Sequence, residues 1–169
     1  MREMADDWVS DFMAFLSSKE RKTLNLFGIG SPVRRDDSVG LHMVESLLRR
    51  VGSSPAPFLR VHAPLANPEL TLSKILRGPG RALVFDAVEA DKRPGSVVFT
   101  TLKQTKFGFF ATHNIPLTVL ASMSTDPAEV GLLGIQPEDI EVGEGLSDRV
   151  RASADRVVEI VVRAIRTVY

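Results

Sequence analysis

Apolar residues recur along this chain at two spacings, which predict strands and helices in alternation. Short apolar runs, typical of buried strands, are separated by segments in which apolar residues return every three or four positions, as on one face of a helix. Predicted strands occupy residues 24–29, 58–61, 82–85, 96–101 and 130–135. Predicted helices occupy residues 5–19, 37–51, 67–77 and 113–123, and a final helix follows Ser147.

This alternation predicts an α/β fold, and more specifically a three-layer α/β/α sandwich around a sheet of about five strands. The turn at Pro94-Gly95 permits a hairpin between the third and fourth strands, so we expect a mixed, mostly parallel sheet. Residues 103–112 fit neither spacing, which leaves open a buried connector or a mobile lid beside a site.

Residues 1–22 are predicted to form an N-terminal amphipathic helical extension, ahead of a single α/β domain at 23–169. Trp8, Phe12 and Phe15 fall at helical spacing, which gives the segment one apolar face. Two interpretations stay open: this face packs against its own domain, or it forms a docking or dimer surface around Trp8. The sequence leaves the oligomeric state open as well.

Composition and charge exclude several classes of protein. The 169 residues contain 21 Lys plus Arg and 21 Asp plus Glu, so no net charge draws the chain to nucleic acid or an anionic membrane. No apolar run approaches the ~20 residues of a membrane span, so we expect no membrane insertion. The absence of cysteine excludes disulfides and thiolate ligands, and it is compatible with the reducing cytoplasm where we expect the protein to act.

The stretch from Leu24 to Gly40 is the strongest candidate for a ligand site. A predicted strand passes through Gly28 and Gly30 into a helix start, as strands of open α/β sheets do at their ligand-binding edge. Glycine lets the backbone turn sharply and come close to a ligand. The stretch lacks the third glycine of a dinucleotide fingerprint, the lysine of a P-loop and the serine position of a nucleophile elbow. Common nucleotide-binding and hydrolase motifs are therefore absent from it.

Three side chains remain that could form a metal site. Asp37 follows the first predicted strand, Asp86 ends the third, and His113 opens the helix after the fourth. In an open α/β sheet all three could meet at the edge where ligands bind. Two carboxylates and an imidazole suit a divalent ion such as nickel, zinc or cobalt and leave coordination positions for a substrate. Each also has a purely structural interpretation, as a residue that satisfies a helix start or a strand end.

Several neighbours of these three are candidates for supporting or substrate-contacting roles. Asp36 stands beside Asp37, and Arg34 and Arg35 could keep Asp36 ionised, contact a partner protein or simply be solvated turn charges. His62 follows the second predicted strand near the same edge, so it is a weaker candidate for the site. His42 lies on a predicted helix, where a partly buried structural histidine is the simpler interpretation.

Four ordered motifs give the chain a resemblance to a known family. The stretches GIGSPVRRDDSVG, LVFDAVEADKRPG, THNIPL and LLGIQPE, in this order and spacing, resemble those of the hydrogenase maturation endopeptidases. The resemblance covers roughly Leu24 to Tyr169, and the last two motifs look closest to the subgroup that serves hydrogenase-3-type and archaeal enzymes. Four motifs in order are far more specific than any one of them alone.

The resemblance implies an aspartic-type, metal-dependent endopeptidase. Members of the family remove the C-terminal extension of a nickel-iron hydrogenase large-subunit precursor after nickel has been inserted. The nickel is presented by the precursor, and the motif positions that would recognise it fall on Asp37, Asp86 and His113; other divalent ions could occupy the site in vitro. Asp36 matches the first acid of the motif pair.

Two departures from the family pattern leave alternatives open. Ser31-Pro32 stands where the family usually has asparagine, and residues 62–69 replace a stretch that usually contains glycines. The precursor recognised here could therefore differ from familiar ones. A relative that binds nickel-loaded protein as a chaperone without cleaving it is the main alternative, and an unrelated small-molecule enzyme or nucleotide binder on the same fold is the other.

Overall fold

The computed structural model of the chain describes residues 7–17, 22–64, 73, 77, 80–104, 110–111 and 129–169. Within these ranges the helices are α1 (Asp7–Leu16), α2 (Val39–Val51) and α3 (Asp148–Val168), and a 3-10 turn at Arg35–Ser38 leads into α2. The strands are β1 (Leu24–Gly28), β2 (Leu59–Val61), β3 (Arg81–Glu89), β4 (Val97–Thr101), β5 (Phe110–Ala111) and β6 (Val130–Ile135).

The described strands form a mixed, mostly parallel sheet in the order β2-β1-β3-β6-β4, with β5 paired to the end of β3. β1, β2, β3 and β6 run parallel, whereas β4 runs antiparallel to β6. The mixed α/β sheet predicted from the sequence is confirmed. The hairpin between β3 and β4 that the turn at Pro94-Gly95 permits does not form, because β1 and β6 occupy the two sides of β3 and β4 pairs with β6 instead.

The described helices share one face of the sheet. Their apolar residues form a single core with the inward side chains of β1, β3 and β6, such as Leu26, Phe85 and Leu133. Residues that alternate with these along the strands, including Phe27, Val84 and Leu132, are equally buried and form a second core on the opposite face. The helix predicted at 113–123 lies outside the described residues, and so does the helix predicted at 67–77 apart from residues 73 and 77. These two helices would make the third layer.

Helix α1 packs on this same domain. Trp8 is 8% exposed, its ring centroid lies 6.0 Å from that of Phe12, and the rings of Phe12 and Phe15 lie 5.8 and 5.5 Å from that of Phe99 on β4. The apolar face of α1 is therefore buried against the protein's own core, as the first of the two interpretations predicts. The proposed division at residue 22 between an extension and a domain stays a prediction.

Strand β3 begins and ends differently from its prediction. It continues to Glu89, so Asp86 lies inside the strand rather than at its end. At its beginning, Arg81 is 2% exposed, its Nε lies 2.6 Å from Glu129 Oε2, and its guanidinium stacks 4.4 Å from the centre of the Phe15 ring. This buried cation joins α1, β3 and the segment before β6.

Among the described residues, no helix is long and apolar enough to cross a membrane.

Candidate functional site

Glycines bring the start of α2 against the ends of β1 and β3. A Cβ atom on Gly40 would lie 2.2 Å from Phe85 O and 2.3 Å from Ile29 O, and one on Gly28 would lie 2.1 Å from Gly40 O. Gly30 has φ of +148°, and its missing Cβ makes room for Asp37 O. We expected these glycines to admit a ligand. The structure instead shows that they admit the backbone of the 3-10 turn and α2, which places that turn beside β3.

The carboxylate of Asp36 is buried and holds the loop before α3. It is 0% exposed, and its Oδ2 accepts hydrogen bonds from the backbone N–H of Glu138 at 2.9 Å and of Asp139 at 3.0 Å. Ser147 donates its backbone N–H to Asp36 Oδ1 at 2.7 Å and its hydroxyl to Asp36 Oδ2 at 2.9 Å. Ser147 stands at the N-cap of α3 as predicted, but its hydroxyl serves Asp36 rather than capping the helix.

The two arginines before Asp36 are bound to the same loop. Arg34 Nε donates to Ile140 O at 3.2 Å, and Arg35 Nε lies 3.3 Å from Asp139 Oδ2. The backbone N–H of Arg35 donates to Gly143 O at 3.1 Å. Both arginines therefore connect the turn to this loop, so neither is simply a solvated turn charge. None of the described bonds joins either arginine to the Asp36 carboxylate.

Asp37, on the 3-10 turn beside β3, and Asp86, on β3 itself, are both buried near the carboxyl edge of the sheet. Asp37 is 1% exposed and Asp86 is 2% exposed, on the face that also carries Val84 and Val88. Burial raises the pKa of the Asp86 carboxyl well above its usual range; the 2.8 Å hydrogen bond from the Ala87 N–H opposes this, and the charge of Asp37 raises the pKa further. A buried carboxylate whose pKa is raised favours a retained proton or a nearby cation.

His113, the third predicted member of the site, lies outside the described residues. Among the residues that the structure does describe, no group of three or more histidine, cysteine or acidic side chains is arranged to hold a metal ion. The described part of the site therefore consists of the two carboxylates, Asp37 and Asp86.

The other two histidines have partners of their own. His62 Nε2 lies 2.9 Å from Asn25 Oδ1, and its ring stacks on Phe27 at 4.3 Å. Phe27 pairs in register with Val84, two residues before Asp86, so a supporting role of His62 at this edge stays a prediction. Burial and the nearby Arg60 lower the pKa of His62. His42 Nε2 lies 3.3 Å from Asp155 Oδ1 between α2 and α3, which agrees with a structural role.

Sequence reasoning missed the part played by Gln136. Its Oε1 accepts hydrogen bonds from the backbone N–H of Ala90 at 2.8 Å and of Lys92 at 3.3 Å, while its Nε2 donates to Glu89 Oε1 at 2.8 Å. Gln136 therefore fixes the turn that follows β3, just beyond Asp86. The sequence signal for this role was the position of Gln136 in the motif LLGIQPE, directly after a strand. Apolar periodicity alone does not reveal what such a polar residue binds.

The fold is that of an α/β protein with two buried carboxylates near the carboxyl edge of its sheet, and comparison with known proteins identifies it as a peptidase. A sequence model described as hydrogenase maturation protease matches residues 68–164, more than half of the chain. The chain belongs to the hydrogenase maturation protease family. The family and the peptidase activity predicted from the motifs are thereby confirmed.

Individual relatives agree with this assignment. A provisionally named hydrogenase maturation protease of Methanocaldococcus jannaschii is 29% identical over 155 residues, which cover 87% of this chain and 90% of the relative. The solution structure of the endopeptidase HycI from Escherichia coli has a TM-score of 0.65 at 26% identity and covers 81% of this chain and 87% of that one. The crystal structure of the [NiFe] hydrogenase maturation protease HycI from Thermococcus kodakarensis shares the fold with a TM-score of 0.74 at 23% identity, covering 92% of this chain and 99% of that one.

Proposed function

We propose that this protease removes the C-terminal extension of a nickel-iron hydrogenase large-subunit precursor after nickel has been inserted. In this proposal Asp37, Asp86 and His113 recognise the nickel that the precursor carries, and the nickel is part of the substrate. The observation that supports it best is the burial of two carboxylates near the carboxyl edge of the sheet, one on the 3-10 turn and one on the adjacent strand β3.

The physical argument starts from the repulsion between these carboxylates. Burial and the charge of Asp37 both disfavour ionisation of Asp86, so the pair is unfavourable as two anions without a compensating charge. A divalent ion supplied by the substrate would provide that charge and gain oxygen ligands in return. A precursor without nickel offers no such compensation, and cleavage would therefore wait for metal insertion.

The direction of β5 supports including His113. β5 pairs antiparallel with β3, with Phe110 opposite Glu89 and Ala111 opposite Val88, so the chain runs toward Asp86 as it reaches Ala111. His113 follows Ala111 by two residues in the sequence. An imidazole is a good ligand for nickel and would complete a set of three with the two carboxylates.

The proposed reaction is aspartic-type in the sense that buried aspartates carry the recognition of the metal-bearing substrate. The cysteine-free sequence is compatible with the reducing cytoplasm, where we propose that the processing occurs.

The test uses a large-subunit precursor prepared with and without nickel. We expect the full chain to shorten only the nickel-loaded precursor, and expect Asp86→Asn and His113→Ala to abolish this shortening while both variants keep their fold. Asp155→Asn, which changes a surface carboxylate on α3, is the matched control and should process normally. Mass spectrometry of the precursor reports each result.

Two outcomes would overturn the proposal. Equal cleavage of the nickel-free precursor would remove nickel recognition, and normal cleavage by Asp86→Asn would remove the assigned site. An unchanged precursor mass together with stable, nickel-dependent association would instead favour the non-cleaving binding module.

A further inference from the structure

Asp36 and Asp37 are consecutive, yet their side chains do different things. All four hydrogen bonds described for the Asp36 carboxylate come from Glu138, Asp139 and Ser147, in the loop before α3. The charge of Asp37, by contrast, acts on Asp86. Because three of the donors to Asp36 are backbone N–H groups, its carboxylate works as an anchor between two distant segments of the chain.

The backbone of the turn is held by the same loop. The N–H of Asp36 donates to Asp139 O at 3.0 Å, and the N–H of Arg35 donates to Gly143 O at 3.1 Å. Arg35 adopts a φ of +39°, a left-handed conformation that is unfavourable for a side chain of this kind. Such a conformation persists when surrounding contacts determine it. Here the loop supplies those contacts to Arg35, which stands two residues before Asp37.

The other side of the turn is equally constrained. Asp37 N–H donates to Arg34 O at 2.9 Å, and Asp37 O occupies the space left by the missing side chain of Gly30. The peptide that joins Asp36 to Asp37 is thus fixed by the loop on one side and by the β1 end on the other. Both constraints fix the backbone position from which the Asp37 side chain starts.

We propose that Asp36 is a positioning residue for the peptidase reaction: its carboxylate ties the loop at residues 138–147 to the 3-10 turn and thereby fixes the backbone of Asp37 beside β3, the strand that carries Asp86. This inference rests on the proposed function, since it concerns the geometry of the same site. A neutral amide cannot replace the carboxylate, because one of its two polar atoms is a donor and would face the N–H groups that Asp36 now accepts from.

The first experiment measures processing of the nickel-loaded precursor by Asp36→Asn, well below the unfolding midpoint and with the folded fraction checked by circular dichroism. We expect kcat to fall by about 10²-fold, the size of effect that follows from a small misplacement of a reacting group. KM for the precursor should stay unchanged, because the surface that contacts the bulk of the precursor is retained. Asp155→Asn is the matched control and should behave like the wild type.

Ser147→Ala provides a second variant that keeps the question answerable if Asp36→Asn does not fold. It deletes the hydroxyl donor to Asp36 but keeps the backbone N–H bond, so we expect a smaller decrease in kcat. In the double variant the two decreases should combine to less than their product, because both act through one contact. A purely structural role would couple the two substitutions in stability but leave kcat of the folded protein untouched.

Hydrogen exchange separates failure of this inference from failure of the proposed function, because it needs no activity. Asp36→Asn should speed exchange at the amides of Glu138, Asp139 and Ser147 while leaving those of β1 unchanged. If the wild type cleaves the precursor and folded Asp36→Asn has the same kcat, the inference is wrong and the function stands. If the wild type cleaves no precursor, the proposed function is wrong. If the three amides exchange in Asp36→Asn at the wild-type rate, the inference that Asp36 anchors the loop is wrong, whatever the activity.

Discussion

Arg81 Nε lies 2.6 Å from Glu129 Oε2 at the beginning of β3, five residues before Asp86. The guanidinium is 2% exposed and also contacts the Phe15 ring and the Phe15 carbonyl of α1. A buried ion pair of this kind contributes little net stability as a pair, but removal of one partner leaves an uncompensated charge in the interior. The pair therefore makes the attachment of α1 sensitive to a single side chain.

Arg81→Ala should lower the free energy of unfolding by about 3–5 kcal/mol, because Glu129 would then be left without its counter-charge. Urea unfolding followed by circular dichroism measures the change. Arg50→Ala is the matched control, since Arg50 pairs with Glu159 on the surface and such exposed pairs contribute about 0–1 kcal/mol. Similar losses in the two variants would show that the buried pair has no special weight.

Asp86→Asn should abolish processing without destabilising the fold. Since the pKa of Asp86 is raised in the folded state, the folded protein keeps its proton at pH values where the unfolded chain has released it. The wild type therefore loses stability as pH rises from the unfolded value near ~3.9 to the raised folded value, by up to about 1.4 kcal/mol per pH unit. The asparagine variant lacks this loss.

The corresponding measurement compares urea midpoints of the wild type and Asp86→Asn at pH 4 and pH 7. The urea midpoint of Asp86→Asn should rise relative to that of the wild type as pH increases. A constant difference across this range would show that Asp86 titrates normally and is not constrained by burial or by Asp37.

Gly40→Ala should destabilise the protein strongly, because its new methyl group would meet the carbonyl oxygens of Phe85 and Ile29 at 2.2 and 2.3 Å. These are backbone atoms, one inside β3 and one directly after β1, and they cannot rotate away, so we expect a loss of about 3 kcal/mol or more. Glu45→Ala, at an exposed position of the same helix, should change stability by less than ~0.5 kcal/mol. Thermal unfolding of both variants checks the expectation, and a wild-type midpoint for Gly40→Ala would contradict the close packing.

His62 should titrate below its ordinary value of 6.5, because burial and, secondly, Arg60 disfavour its charged form. A lowered folded pKa contributes stability that is present above the unfolded pKa and is lost as pH falls through the folded pKa. Compared with His62→Gln, the wild type should thus lose stability below pH ~6.5. Nuclear magnetic resonance of the His62 ring measures the pKa directly; a value above 6.5 would show that Asn25 favours the charged ring.

The fold was largely predictable because apolar spacing reports which side of an element is buried, and both faces of this sheet are buried. The order of the strands was less predictable. Nothing in the turn at Pro94-Gly95 reveals that β6, more than thirty residues later, separates β3 from β4. Strand pairing depends on contacts between distant segments, which periodicity does not record.

The candidate site shows the same division. The rule that ligands bind at the carboxyl edge of parallel strands groups Asp37 with Asp86, a pairing that stays a prediction. It was not enough to separate Asp37 from Asp36, because the partners of Asp36 lie 102 to 111 positions away along the chain. The glycines were found correctly as sites of close approach, but the approaching group is the α2 backbone. His113 stays a prediction.

The long reach of Asp36 has a consequence for synthesis of the protein. While the chain is still growing, Asp36 and Asp37 emerge early, and Ser147 emerges near the end. Until then the acidic turn lacks the partners that fix it. We expect the nascent protease to stay inert on the ribosome and to become competent only when its final helix is released.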